Sequence, residues 1–96
     1  MYARITTLRI NPEKLDEIKA LAEEIKPEVM AIPGMKYWFD TANEDGSCAV
    51  IAVYESQEAA EAAKSTASEI FARFAEYMES EPQPQGYHVF IHGINS

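Results

Sequence analysis

Seven consecutive apolar or aromatic residues, Cys48-Ala49-Val50-Ile51-Ala52-Val53-Tyr54, constrain this chain more than any other stretch. A strand with one wet face alternates apolar and polar side chains. This run is apolar at both parities, so it reads as a strand covered on both sides. Glu55 and Ser56 stop it. A chain of 96 residues has material for one modest core, expected as a single domain over 1–96. Its helices can cover only one face of a sheet. The other face calls for a second copy of the protein, so a homodimer is the expected state.

Charge narrows the partners. A formal net charge of −8 argues against nucleic acid and against an anionic membrane surface, because both select a basic patch. The acidic residues read as solvating two helix faces. Cys48 is the only cysteine, which excludes an internal disulfide, and it reads as structural. No segment approaches the ~20 apolar residues of a membrane span. The N-terminus starts in strand-like sequence with no signal-peptide pattern, and a cytoplasmic location is expected.

The remaining elements follow in order. Residues 2–10 are β-branched and aromatic without a breaker and predict a first strand. Asn11-Pro12 caps and starts a helix whose buried stripe is Leu15, Ile18, Leu21, Ala22, Ile25 and Val29. Pro27 predicts a kink or restart near Lys26. Residues 35–41 predict a second strand, with Met35, Tyr37 and Phe39 on one face and Lys36, Trp38 and Asp40 on the other. Asn43-Glu44-Asp45-Gly46 is a hairpin turn into the apolar strand. Ser56 caps a second helix that runs toward Ser80 over an alanine-rich stripe, with a weak spot at residues 65–68. Small side chains there either let the helix lie close to a sheet or leave room for a ligand. Residues 86–92 predict the last strand.

Strand, helix, strand, strand, helix, strand is the split βαβ pattern of a ferredoxin-like α+β fold. Right-handed crossovers put both helices on one face of a four-stranded antiparallel sheet. Two such sheets packed through their bare faces satisfy both chains.

Three segments carry a resemblance: Ile5-Thr6-Thr7-Leu8-Arg9-Ile10-Asn11-Pro12-Glu13, Ile32-Pro33-Gly34-Met35, and Val50-Ile51-Ala52-Val53-Tyr54-Glu55-Ser56-Gln57-Glu58-Ala59. Together they resemble the antibiotic biosynthesis monooxygenase domain of the dimeric α+β barrel superfamily, over nearly the whole chain. The resemblance implies a dimeric barrel and a pocket between sheet and helices. Chemistry varies within the superfamily: cofactor-free monooxygenases of polycyclic aromatics, haem-degrading enzymes, isomerases and decarboxylases. The haem-degrading branch uses an asparagine on the first strand and a tryptophan and a histidine on the second helix. Thr6, Ala63 and Arg73 stand at those places here, which argues against haem degradation.

Candidate site residues are few. His88 and His92 are the only histidines, and on one strand they would lie about 13 Å apart at ~3.3 Å per residue, too far to share a metal. No metal or other cofactor is expected. His88 is a candidate base or hydrogen-bonding group. Trp38 and Tyr54 are candidate walls for a flat ligand. Arg4 lies on a strand expected to be central, where a charge must be paired or face a cavity. If a cavity lies under the second helix, Thr6 and Arg73 are expected to face it, and an arginine there would stabilise an anionic intermediate. Two functions stay open. One is a cofactor-independent monooxygenase-like enzyme of flat aromatic or quinol-like substrates, with His88 and Arg73 catalytic and Arg4, Thr6, Trp38 and Tyr54 binding. The other is a non-catalytic dimer that binds a small apolar ligand or serves as a structural module.

Overall fold

The computed structural model describes residues 1–95. Its elements are β1 (Tyr2–Arg9), α1 (Leu15–Met30), β2 (Met35–Ala42), β3 (Ser47–Tyr54), α2 (Gln57–Ala62), α3 (Lys64–Ala72) and β4 (Gln83–His88). The four strands form one antiparallel sheet in the order β2-β3-β1-β4. The twice-apolar strand, β3, is therefore interior, flanked by β1 and β2, as the ferredoxin-like pattern requires.

Register assigns the two faces. Tyr2 pairs with Tyr54, Arg4 with Ala52, Thr6 with Val50 and Leu8 with Cys48, and this parity faces the helices. Ala3, Ile5 and Thr7 pair with Val53, Ile51 and Ala49 on the open face. Tyr37, Phe39 and Tyr87 extend that face across the outer strands and stay exposed. The chain alone leaves its bare face bare.

β2 departs from strict alternation. A bulge at Lys36 lets Met35 pair with Tyr54 while Tyr37 pairs with Val53. Met35 thus packs on the helix side with Tyr54, not with Tyr37 and Phe39, because the extra residue absorbs one half-period. Trp38 and Asp40 also face the helices.

α1 begins as the sequence predicts. Asn11 Oδ1 accepts from the Glu13 N–H at 3.0 Å, and one 3-10 turn, Pro12–Lys14, leads into the helix. The expected restart near Lys26 does not occur: α1 runs unbroken through Pro27 to Met30. Pro27 and Glu23 lie on the solvent side, where water satisfies the carbonyl that proline leaves free. Ile18, Ile25 and Val29 are the buried stripe, with Leu15, Leu21 and Ala22 half-buried beside it.

The second helix is in two pieces. Ser56 Oγ accepts from the Ala59 N–H at 3.1 Å and starts α2. The helix breaks at Ala63, two residues before the predicted weak spot, and α3 stops at Ala72 instead of continuing toward Ser80. Ala60 and Ala63 are buried, so the first alanines do bring the helix onto the sheet, whereas α3 has no buried residue. The last strand starts three residues earlier than predicted and ends at His88. Pro84 is tolerated because β4 is an edge strand, where one missing N–H costs no ladder bond on its outer side.

Candidate functional site

Two hydrophobic clusters fill the space between sheet and helices. One joins Tyr2, Ile32, Tyr54, Ala60 and Ala63; the other joins Leu8, Ile10 and Ile18. Between them run the cross-sheet rows Asp40-Val50-Thr6-Pro84 and Trp38-Ala52-Arg4-Gly86. Val50, Ala52, Thr6 and Gly86 are small for a core floor, and α3 stands over them without a buried side chain. Small floor and lightly seated roof together leave a cleft.

The cleft has three connected parts. The first, about 60 Å³, is bounded by Trp38, Asp40, Cys48 and the apolar side chains of α1 and α3. The second, also about 60 Å³, is lined by Arg4, Thr6, Trp38, Tyr54, Ile70 and Phe71. The third is an open groove of about 640 Å³ that reaches Lys64, Ser68, Glu81 and Gly86. Arg4, Thr6, Ala67 and Phe71 line both the second part and the groove, and Phe71 lines all three. The inner parts have room for a few waters each; of the three, the groove has the size of a ligand pocket.

Arg4, Thr6, Trp38 and Tyr54 thus converge on one compartment. Thr6 is buried at 5% exposure, and the Arg4 side chain keeps 16%. Arg4 donates to the Ala60 carbonyl and pairs with Glu61, both at 3.5 Å. Neither contact is short, so the guanidinium, with five N–H donors, retains capacity for a ligand. Glu61 also pairs with Lys64 at 2.8 Å, and that hydrogen bond holds its carboxyl below the usual range. Burial pushes the Tyr54 phenol up, while the nearby Arg4 charge pulls it down.

The two residues expected to be catalytic lie elsewhere. Arg73 pairs with Glu28 of α1 at 2.7 Å on the protein surface. It follows Phe71 by two positions, roughly 200° round the helix, so the turn that aims Phe71 inward aims Arg73 out. His88 is exposed at the end of β4, stacked edge-to-face on Tyr2 with ring centroids 5.1 Å apart. His92 lies beyond that strand. Among the described residues, no group of three or more His, Cys, Asp or Glu side chains is placed to hold a metal ion.

Two further cleft residues escaped sequence reading. Asp40 reaches solvent on one side, but desolvation by its apolar neighbours raises its pKa. Cys48 Sγ lies 3.9 Å from Asp40 Oδ1. Burial, and then the Asp40 charge, push the thiol up to about 11. The strand pairing Asp40↔Val50 and Ala42↔Cys48 was the signal, and it becomes legible only once the hairpin register is known.

The Cys48 environment sets a measurable expectation. Iodoacetamide at pH 8 should alkylate Cys48 roughly 100-fold more slowly than a free thiol. Thiolate absorbance should give a midpoint near 11, and Asp40→Asn should lower it. A wild-type midpoint in the ordinary thiol range contradicts this geometry. Because the folded chain holds this proton more tightly than the unfolded chain, the group's contribution to stability is whole below the ordinary thiol pKa. It is lost as pH climbs toward about 11.

Comparison with known proteins gives a consistent result. Residues 1–77 match the family model described as antibiotic biosynthesis monooxygenase. No curated protein sequence matches the chain. Among solved structures, a Nitrosomonas europaea protein of unknown function is similar at a TM-score of 0.80 and 15% identity, covering 99% of this chain and 94% of that one. Rv0793 from Mycobacterium tuberculosis is similar at a TM-score of 0.75 and 14% identity, covering 97% and 98%. A monooxygenase from the ActVA-Orf6 gene of Streptomyces coelicolor, in complex with the ligand nanaomycin D, is similar at a TM-score of 0.76 and 16% identity, covering 99% and 92%. At these identities the structural likeness establishes the fold.

Proposed function

The chain belongs to the antibiotic biosynthesis monooxygenase family, and from that premise we propose that it oxidises a flat, phenol- or quinol-like small molecule in the cleft between sheet and helices. The observation that carries the reading is the convergence of Arg4, Thr6, Trp38 and Tyr54 on one compartment beside an open groove. The Streptomyces coelicolor neighbour holds nanaomycin D, a small molecule, on the same fold.

The chemistry asked of the protein is modest. An ionised phenol-type ring can itself give electrons to O₂, so the reaction requires no bound redox group. A ring carbon bonds to one oxygen atom and loses its hydrogen; the second oxygen leaves as water with the two hydrogens given up, and the ring becomes a quinone. Arg4 stabilises the negative charge that spreads through the ionised ring, in a site where few waters compete. Trp38 and Tyr54 hold the ring plane, and Thr6 supplies a hydroxyl beneath it. His88 and Arg73, which stand outside the cleft, have no part in this scheme.

The test is aerobic turnover of a phenol or hydroquinone of two or three fused rings, followed by quinone absorbance. Arg4→Met should lower kcat/KM by roughly 100-fold, the size of one lost electrostatic contact in an active site, and Trp38→Ala should lower it by removing the wall that holds the ring plane. Equal rates for wild type, variants and buffer would refute the proposal.

We also propose that two copies pair through the open sheet face formed by Ile5, Ile51, Val53, Tyr37, Phe39 and Tyr87. A contiguous apolar face of this kind is a partner surface, and its pairing with itself closes about a two-fold axis. A second reading, a dimer that binds or merely packs without catalysis, draws support from one observation. The inner compartments, at about 60 Å³ each, admit no fused ring until Phe71 and Ile70 move. Among the described residues no helix is long and apolar enough to cross a membrane.

A further inference from the structure

We propose that Asp40 is the group that accepts the phenolic proton of the ligand, and that the ligand carries an acidic or carbonyl group at its opposite edge, read by Arg4. This rests on the cleft being the ligand site and adds to it an orientation and a substrate class.

The geometry comes from the strand register. Asp40 lies opposite Val50, and Arg4 lies opposite Ala52 on the other side of the same strand. The two charged residues are therefore two strands and two residues apart, about 12 Å between Cα atoms at ~4.8 Å per strand and ~3.3 Å per residue. Between them the floor is Val50 and Ala52, which offer a flat apolar bed and no polar group. Trp38 lines both inner compartments. A fused two-ring aromatic with oxygens at opposite edges spans such an interval.

The electrostatics point the same way. Among the described residues, Asp40 is the only carboxylate lining the two inner compartments, and Arg4 the only cation. Cys48, the titratable neighbour of Asp40, is 3.9 Å away and holds its proton more tightly than an ordinary thiol, so it leaves the carboxylate unneutralised. Desolvation raises the Asp40 pKa, which makes its carboxylate a stronger hydrogen-bond acceptor and proton acceptor than one in water. Upon ionisation the ligand O–H bond breaks and its proton moves to Asp40 Oδ. The negative charge spreads through the ring toward Arg4, and Asp40 passes the proton to solvent at the rim. Entry requires Phe71, the side chain common to all three parts of the cleft, to swing with α3. That helix has no buried residue.

The experiment is titration calorimetry at pH 7.5 with 6-hydroxy-2-naphthoate and with 2-naphthoate, which lacks the hydroxyl. Wild type should prefer the hydroxylated probe by at least about tenfold, the usual worth of a hydrogen bond to a charged acceptor. Asp40→Ala should reduce that preference to less than about threefold, with circular dichroism confirming the fold. Arg4→Met should weaken both probes by about tenfold and keep the preference. If Asp40→Ala discriminates as wild type does, the Asp40 assignment is overturned and the cleft reading survives. If both probes bind but Arg4→Met changes neither, the orientation is overturned. If neither probe binds wild type, the inference and the cleft reading fall together.

Discussion

Ile51→Lys is expected to abolish the pairing of two copies proposed through the open sheet face. Ile51 sits at the centre of the open face, opposite both Ile5 and Phe39. In a two-fold pair the same residue is altered twice, so two ammonium groups enter one apolar interface without partners. At several kcal/mol for each buried unpaired charge, dimer dissociation should strengthen by at least about 10³-fold. Lysine at this strand position still reaches water in the lone chain, so the fold should survive as a monomer. Native mass spectrometry across a concentration series reads the outcome. A variant that stays dimeric places the contact elsewhere on the protein.

Gly34→Val should damage the fold severely. Gly34 joins α1 to β2 with φ at +84°, a region that L side chains seldom adopt. A Cβ built there lies 2.6 Å from the Ala59 Cβ and 3.2 Å from the Glu55 Cγ. The Gly34 carbonyl also accepts the Glu55 N–H at 2.8 Å, so the loop cannot retreat from α2 without losing that bond. Backbone strain and overpacking together should cost about 3 kcal/mol or more. For a chain of this size that lowers Tm by roughly 12 °C or more. Gly93→Val is the control, because nothing lies within 4 Å of a Cβ there. Equal melting curves for the two variants would contradict the packing described.

Much of this fold was legible because its strongest signals are local. The double-parity run in β3 identified the interior strand. Asn11-Pro12, Ser56 and Asn43-Glu44-Asp45-Gly46 marked two helix starts and a turn through hydrogen bonds made within a few residues. What escaped depends on neighbours distant in sequence. The stop of α3 at Ala72 leaves Phe74, Tyr77 and Met78 to pack against Leu8, Ile10 and Ile18 from outside a regular helix. No local breaker announces that choice. The restart considered at Pro27 did not occur because its cost depends on whether the freed carbonyl lies toward solvent, which is a matter of tertiary placement.

The site divides along the same line. Arg4 was singled out for its place on a central strand, where a charge must be paired or face a cavity, and Thr6 only on the supposition of a cavity under the second helix. Arg73 was expected to face a cavity, but α3 turns it toward Glu28. Asp40 was placed on the face of Trp38 but given no role until the register set Cys48 beside it.

The bulge at Lys36 bears on how relatives of this chain diverge. Met35 and Tyr37 pair with the adjacent residues Tyr54 and Val53. Deleting Lys36 would therefore leave every other side chain of β2 on the face it now occupies, in an unbroken ladder. The number of residues between Pro33-Gly34 and Trp38 is free to vary by one at no cost to the cleft. A lineage that gains or loses that residue keeps its cleft wall while erasing the spacing by which the wall would be recognised. Kinship in such proteins is better traced through strand partners than through intervals along the chain.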